Sequence, residues 1–184
     1  LDLVTSGLGL MLEVDTRDNE QNPQRGSYAT LDANFPRQGF GSDRNYEQYR
    51  LRFNRYQPLA PGRILALRAS ACTMGGDVPF FDLCMFGVGA DLRGYVGGQY
   101  RDKAMLAAQA EYRWQLSERW GVVGFAGAGS VAPTLTGAID SSLLPSVGAG
   151  VRYLASKLYK VNVSADVAWG RDDVAFYFRI GEAF

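Results

Sequence analysis

The chain has 184 residues, carries 19 Lys plus Arg against 19 Asp plus Glu, and contains no histidine. Without imidazole, Ser-His-Asp and Cys-His catalysis and His-ligated metal sites are excluded, and the balanced charge argues against nucleic-acid binding. The length allows one domain, and no run of apolar residues is long enough for a transmembrane helix.

Period-two alternation runs along almost the whole chain and predicts nine strands: residues 8–16, 25–35, 46–57, 63–73, 104–116, 121–131, 146–155, 159–169 and 173–184. In the third, Tyr49, Leu51 and Phe53 alternate with Gln48, Arg50, Arg52 and Asn54. In the fourth, Leu65, Leu67, Ala69 and Ala71 oppose Arg68, Ser70 and Cys72. Cys72 and Cys84 flank a Gly-Gly turn; they either bond in an oxidising compartment or stay thiols. The fifth strand sets Leu106, Ala108, Ala110, Tyr112 and Trp114 against Gln109, Glu111 and Arg113. The glycine-rich sixth lacks the Lys and following helix of a phosphate loop. Its inward glycines leave room for another segment to approach. In the eighth, Val161, Val163, Ala165 and Val167 alternate with Asn162, Ser164 and Asp166. The ninth places Val174, Phe176, Phe178, Ile180 and Phe184 on one face.

Most of these strands span nine to twelve residues. Soluble strands average about five or six, whereas a tilted membrane-spanning strand needs about nine to eleven. The polar faces hold Glu13, Asp15, Asp32, Arg50, Arg52, Arg68, Glu111, Arg113, Arg152, Asp166 and Arg179. In a soluble barrel those charges would face water, and the apolar faces would crowd a narrow interior. Aromatic residues near the strand ends fit the girdle of a membrane barrel better. The fold predicted is therefore all-β: a transmembrane antiparallel β-barrel with its outer face on a lipid bilayer, residues 1–184 forming one domain. Short connections at 58–62, 117–119 and 156–157 alternate with long ones at 36–45, 74–103 and 132–145. If the chain ends on the periplasmic side, the short turns lie inside and the long loops outside. The first strand then begins outside, which predicts further strands upstream.

Four motifs coincide along this pattern. Asp15-Thr16-Arg17-Asp18 followed by Pro23-Gln24-Arg25-Gly26 sits at a strand-turn-strand junction. Leu92-Arg93-Gly94-Tyr95 lies in the 74–103 loop, approached through Pro79-Phe80-Phe81-Asp82. Glu111-Tyr112-Arg113 is in the next strand, and Arg179-Ile180-Gly181-Glu182-Ala183-Phe184 ends the chain. In order and spacing the sequence resembles the C-terminal barrel part of the BamA/TamA superfamily of bacterial surface antigens and outer-membrane assembly factors.

The resemblance implies a sixteen-stranded barrel of which this chain holds the C-terminal part; a short or oligomeric barrel is the alternative. It implies that the loop folds into the barrel, with Arg93 latched to the inward Glu111. Gly127 stands where the family has a second acid, so Asp166 is an alternative partner. On residues alone, Arg93 reads as a solvated loop charge, and Asp15, Arg17 and Asp18 as a capped turn. Phe176, Phe178, Ile180, Gly181 and Phe184 resemble the terminal signal read by the outer-membrane assembly machinery. The implied function is non-enzymatic and cofactor-free: aiding insertion, folding or translocation of outer-membrane proteins in the bacterial outer membrane. Client proteins or a second copy of the chain are the implied partners. A translocator pore for an anchored or secreted passenger, and a structural surface antigen, are the other readings.

Overall fold

The computed structural model of the protein describes residues 2–87 and 91–184. Eleven strands run in chain order: β1 (Gly7–Asp15), β2 (Gly26–Pro36), β3 (Tyr46–Ala60), β4 (Arg63–Gly76), β5 (Cys84–Met85), β6 (Arg101–Asp102), β7 (Ala104–Gln115), β8 (Trp120–Ala132), β9 (Leu144–Ser156), β10 (Val161–Trp169) and β11 (Val174–Ile180). Nine of them form one antiparallel sheet, ordered β1-β2-β3-β4-β7-β8-β9-β10-β11, and each strand pairs with the next along the chain. The two-residue strands β5 and β6 pair with each other inside the long loop.

Register converts the alternation into two surfaces. On the outer face, Leu12, Leu31, Leu51, Ala71 and Leu106 lie side by side on five successive strands. Val122, Val151, Ala165 and Phe178 continue that face on the last four. Its large apolar side chains are exposed, Phe178 at 81% and Leu51 at 47%. The inner face is polar where nothing covers it and apolar where the loop does. There Cys84, Phe86, Leu92 and Tyr95 of the loop pack on Cys72, Met74, Met105, Ala107 and Leu144 of the wall. This cluster is the main apolar core, and it lies between loop and sheet.

Three features depart from the sequence reading. A short helix, α1 (Leu135–Asp140), occupies the 132–145 connection, capped by Thr134 accepting from the Gly137 amide. It packs on β7 and β8 and buries Ala138, whose carbonyl accepts from Ser130 at 2.6 Å. A six-residue helix is too brief to show a helical period. The last strand ends at Ile180 rather than reaching Phe184. Gly181, at φ +97°, turns the chain off the strand, a left-handed conformation that glycine adopts without a Cβ penalty. Finally, β3 and β4 run beyond 57 and 73, to Ala60 and Gly76.

Candidate functional site

The inner wall is best followed along one row. Asn54 on β3, Arg68 on β4, Gln109 on β7, Gly127 on β8 and Ser146 on β9 face one another strand to strand. Gly127 is a gap in that row, and the loop fills it: a Cβ at Gly127 would lie 2.9 Å from the Leu92 Cδ1. Ser146 donates to the Arg93 carbonyl at 2.5 Å, so the backbone of the loop tip is fixed to the wall beside the gap. In the adjoining row, Phe125 faces Gly148. The absence of a side chain at Gly148 lets the Phe125 ring lie down over it. The guanidinium of Arg93 stacks on that ring, 3.4 Å from its centroid.

Arg93 is 1% exposed, and each of its three nitrogens has a partner. Nε donates to Gln109 Oε1 at 3.2 Å, Nη1 to Asp166 Oδ2 at 2.8 Å and Nη2 to Glu111 Oε2 at 2.5 Å. The two carboxylates are shared in turn. Arg113 donates to Glu111 at 2.7 Å, Arg152 to Asp166 at 2.5 Å and to Glu182 at 2.6 Å, and Arg179 reaches Asp166 at 3.3 Å. Taking ions out of water is costly, and such a group is tolerated when every charge has opposite neighbours and hydrogen bonds. An arginine held flat on a ring and forked onto two carboxylates uses geometry that an ammonium cannot reproduce.

The rest of the loop motif anchors outward. Gly94 N donates to the Tyr177 hydroxyl at 2.8 Å. The Tyr95 hydroxyl donates to the Pro145 carbonyl at 2.5 Å and accepts from Arg171 N. Tyr100 donates to Asp172 at 2.5 Å, and that carboxylate pushes the Tyr100 phenol pKa up. Cys72 and Cys84 are bonded, tying the start of the loop to β4.

The strand-turn motif forms a capped link. Arg17 lies over the Tyr28 ring and grips Asp15 with Nε and Nη2, at 3.0 and 2.5 Å. Burial alone would raise the Asp18 carboxyl, but the amides of Gln24 and Arg25 hold it below the usual carboxylate range. Gly26 has φ +101°, and a Cβ there would overlap the Thr16 carbonyl. The Pro23 carbonyl lies 3.4 Å from Arg113 Nη1, so this link, placed far away by sequence, reaches the edge of the ion cluster. Phe176, Phe178 and Ile180 stand exposed on the outer face. Phe184 does not join them. Past the Gly181 turn its ring enters the interior, 5.6, 5.9 and 5.7 Å from the guanidinium groups of Arg68, Arg93 and Arg113. Its carbonyl oxygen accepts from Arg113 at 2.7 Å.

Arg152, Glu182, Phe125, Gln109 and Ser146 complete the site and were not singled out as partners of Arg93. The alternation places all but Glu182 in strands whose polar face is inward, so pairing inward charges with inward glycines was the available signal. Among the described residues, no group of His, Cys, Asp or Glu is arranged to hold a metal ion.

A long-stranded antiparallel sheet, apolar outside and ion-paired inside around a folded-in loop, is the wall of a transmembrane β-barrel. The Omp85 superfamily domain matches residues 2–184, and the chain belongs to the Omp85 superfamily. The fold is similar to that of BamA from Haemophilus ducreyi, solved without POTRA domains 1-3. The TM-score is 0.71 at 18% identity, over 92% of this chain and 41% of that one. The chain thus spans less than half the length of that protein. No curated protein matches the sequence.

Proposed function

We propose that the chain is the barrel part of a bacterial outer-membrane factor that aids insertion, folding or translocation of other outer-membrane proteins. Residues 1–184 belong to one barrel domain, and the long connection between β4 and β7 is its outer loop. The observation that carries this reading is the Arg93 latch: a loop tip drawn into the interior and held by Gln109, Glu111, Asp166 and the Phe125 ring. A loop that merely decorates a surface antigen has no use for a fully buried arginine, because burying a charge costs several kcal/mol before its partners offset it. Superfamily membership supports the assembly or translocation role. The partners proposed are the lipid bilayer, the outer-membrane assembly machinery during biogenesis and client barrels. Phe176, Phe178, Ile180, Gly181 and Phe184 are proposed to carry the insertion signal.

The test is depletion of the whole protein in its host, followed by quantitation of outer-membrane proteins and single-channel recording of the purified protein. A fall in several barrel proteins with low basal conductance supports the assembly role. Normal levels with high conductance identify a pore, and normal levels with no conductance identify a structural antigen.

A further inference from the structure

Two residues before Arg93, the loop carries a charge of the opposite sign. Asp91 points along the inner wall toward β4, where its Oδ1 lies 3.5 Å from Nη2 of Arg68. That contact is at the outer limit of hydrogen bonding, although both side chains are largely buried, 14% and 8% exposed. Around it the wall offers donors that nothing takes up. Arg68 Nε, Ser70 Oγ and Gln109 Nε2 are buried without a hydrogen-bond partner among the described residues. Their placement is local. Arg68 and Gln109 face each other across β4 and β7, and Ser70 is the next inward residue along β4. Ser70 faces Ala107, whose small side chain leaves space beside it. The Gln109 carbonyl is already used by Arg93, which turns its amide toward this patch. The unpartnered oxygens nearby, Asn54 Oδ1 and the Tyr56 hydroxyl, bond none of these donors. A cavity of about 400 Å³ runs from Ser70 and Asp91 past Arg50 and Arg52, so the Ser70 side of the patch opens to the interior.

Buried donors left unpaired are costly and rare in folded proteins. Three together, around a cation whose counter-charge barely touches it, describe a seat shaped for an acceptor with two oxygens. We propose that Arg68, Ser70 and Gln109 form a carboxylate seat on the inner wall, and that Asp91 of the loop is its ligand, held at the edge of it. The loop tip is then clasped twice with reversed signs. Arg93 carries a cation to the carboxylates of β7 and β10, and Asp91 carries a carboxylate to the donors of β4 and β7. Reversed signs fix the loop in one register, because a slip that exchanged the two contacts would bring like charges together. The inference rests on the latch reading above.

The seat predicts that a longer carboxylate binds better. The full chain, in membranes, is digested with trypsin, and cleavage after Arg93 is timed. Arg93 is buried, so this cut reports the loop leaving the wall. Asp91→Asn is expected to speed the cut about threefold or more, and Asp91→Glu to slow it below the wild-type rate, because its carboxylate reaches the vacant donors. Arg68→Gln combined with Asp91→Asn is expected to cut no faster than Asp91→Asn alone. Wild-type cleavage in Asp91→Asn, or Asp91→Glu no slower than wild type, overturns the seat; the second result would mean that water fills those donors. Glu111→Gln separates the two readings. If it speeds the cut while the Asp91 variants do not, only the seat fails. If it leaves the cut unchanged, the latch itself fails.

Discussion

At the scale of the residue, the site depends on the shape of one guanidinium. Arg93 spends Nε, Nη1 and Nη2 on Gln109, Asp166 and Glu111 while its face rests on Phe125. Arg93→Lys keeps the charge but loses the fork and the stack. It is expected to destabilise the closed loop by about 2 kcal/mol, on the scale of one or two charge-assisted hydrogen bonds, read as faster hydrogen exchange in residues 91–95. The double change Arg93→Ala with Glu111→Ala should cost less than the sum of the singles, because the two side chains bond each other directly and that contact is lost only once. Glu111→Ala alone should be the milder single, since Asp166 still holds the arginine. The sequence supported Glu111 readily, as it lies eighteen positions away on the next long strand. Asp166 was legible only as an alternative, because a contact across seventy-three positions leaves no local trace. Gly127 shows the same point in reverse. In the sequence it stands in place of a second acid and points to Asp166, whereas in the fold it is also the space that Leu92 occupies. Gly127→Val should therefore crowd both the loop tip and β7, since a Cβ there would also lie 2.6 Å from the Ala108 carbonyl. The cost is about 1–3 kcal/mol of overpacking or more, visible as trypsin cleavage after Arg93 together with a lower unfolding midpoint in detergent.

At the scale of the element, the long strands were readable because a two-residue period survives any tertiary arrangement that buries one face. The end of β11 was not. The run Val174, Phe176, Phe178, Ile180 suggests a strand continuing to Phe184, and only the left-handed Gly181 breaks it. Two side chains that looked equivalent thus have different jobs. Phe178 stands outside on the lipid-facing wall, and Phe184 stands inside among three arginines. Phe178→Arg should impair insertion, since a basic residue on the lipid face costs about 2–4 kcal/mol near the bilayer midplane. Phe184→Ala should loosen the interior besides weakening insertion, each cation–ring contact being worth about 0.5–2 kcal/mol. The check is to measure, for both variants, the fraction inserted in membranes and the unfolding midpoint in detergent. Phe178→Arg should move mainly the first. Phe184→Ala should move the second as well, and an unchanged midpoint would remove the ring from the cluster. The disulfide follows the same division: Cys72 belongs to β4 and Cys84 to the loop, so it joins two elements whose separate patterns gave no reason to choose between a bond and two thiols.

For the whole molecule, the decisive quantity is where the apolar surface points. In a soluble protein, large contiguous apolar patches are confined to a few hundred square ångströms or mark a binding site. Here the outer rows contain Leu12, Leu31, Leu51, Val151 and Phe178 among others, all exposed, and they continue across the strands of one face. The opposite face already has its own core, the loop cluster around Phe86, Leu92 and Tyr95. The outer residues cannot turn inward without giving up that packing, and a one-residue register slip would send every inward arginine to the outside. The apolar rows therefore need a bilayer or a detergent micelle, even though the mean hydropathy of the chain is only −0.14, because alternation averages the two faces away. The protein is expected to partition with membranes and to stay monodisperse only with detergent present. Diluting the detergent below its micelle concentration should bring aggregation, followed by light scattering, before any loss of strand signal by circular dichroism. A stable, monodisperse protein in detergent-free buffer would mean that the outer face is covered by protein rather than lipid, and the membrane-spanning reading would fall with it.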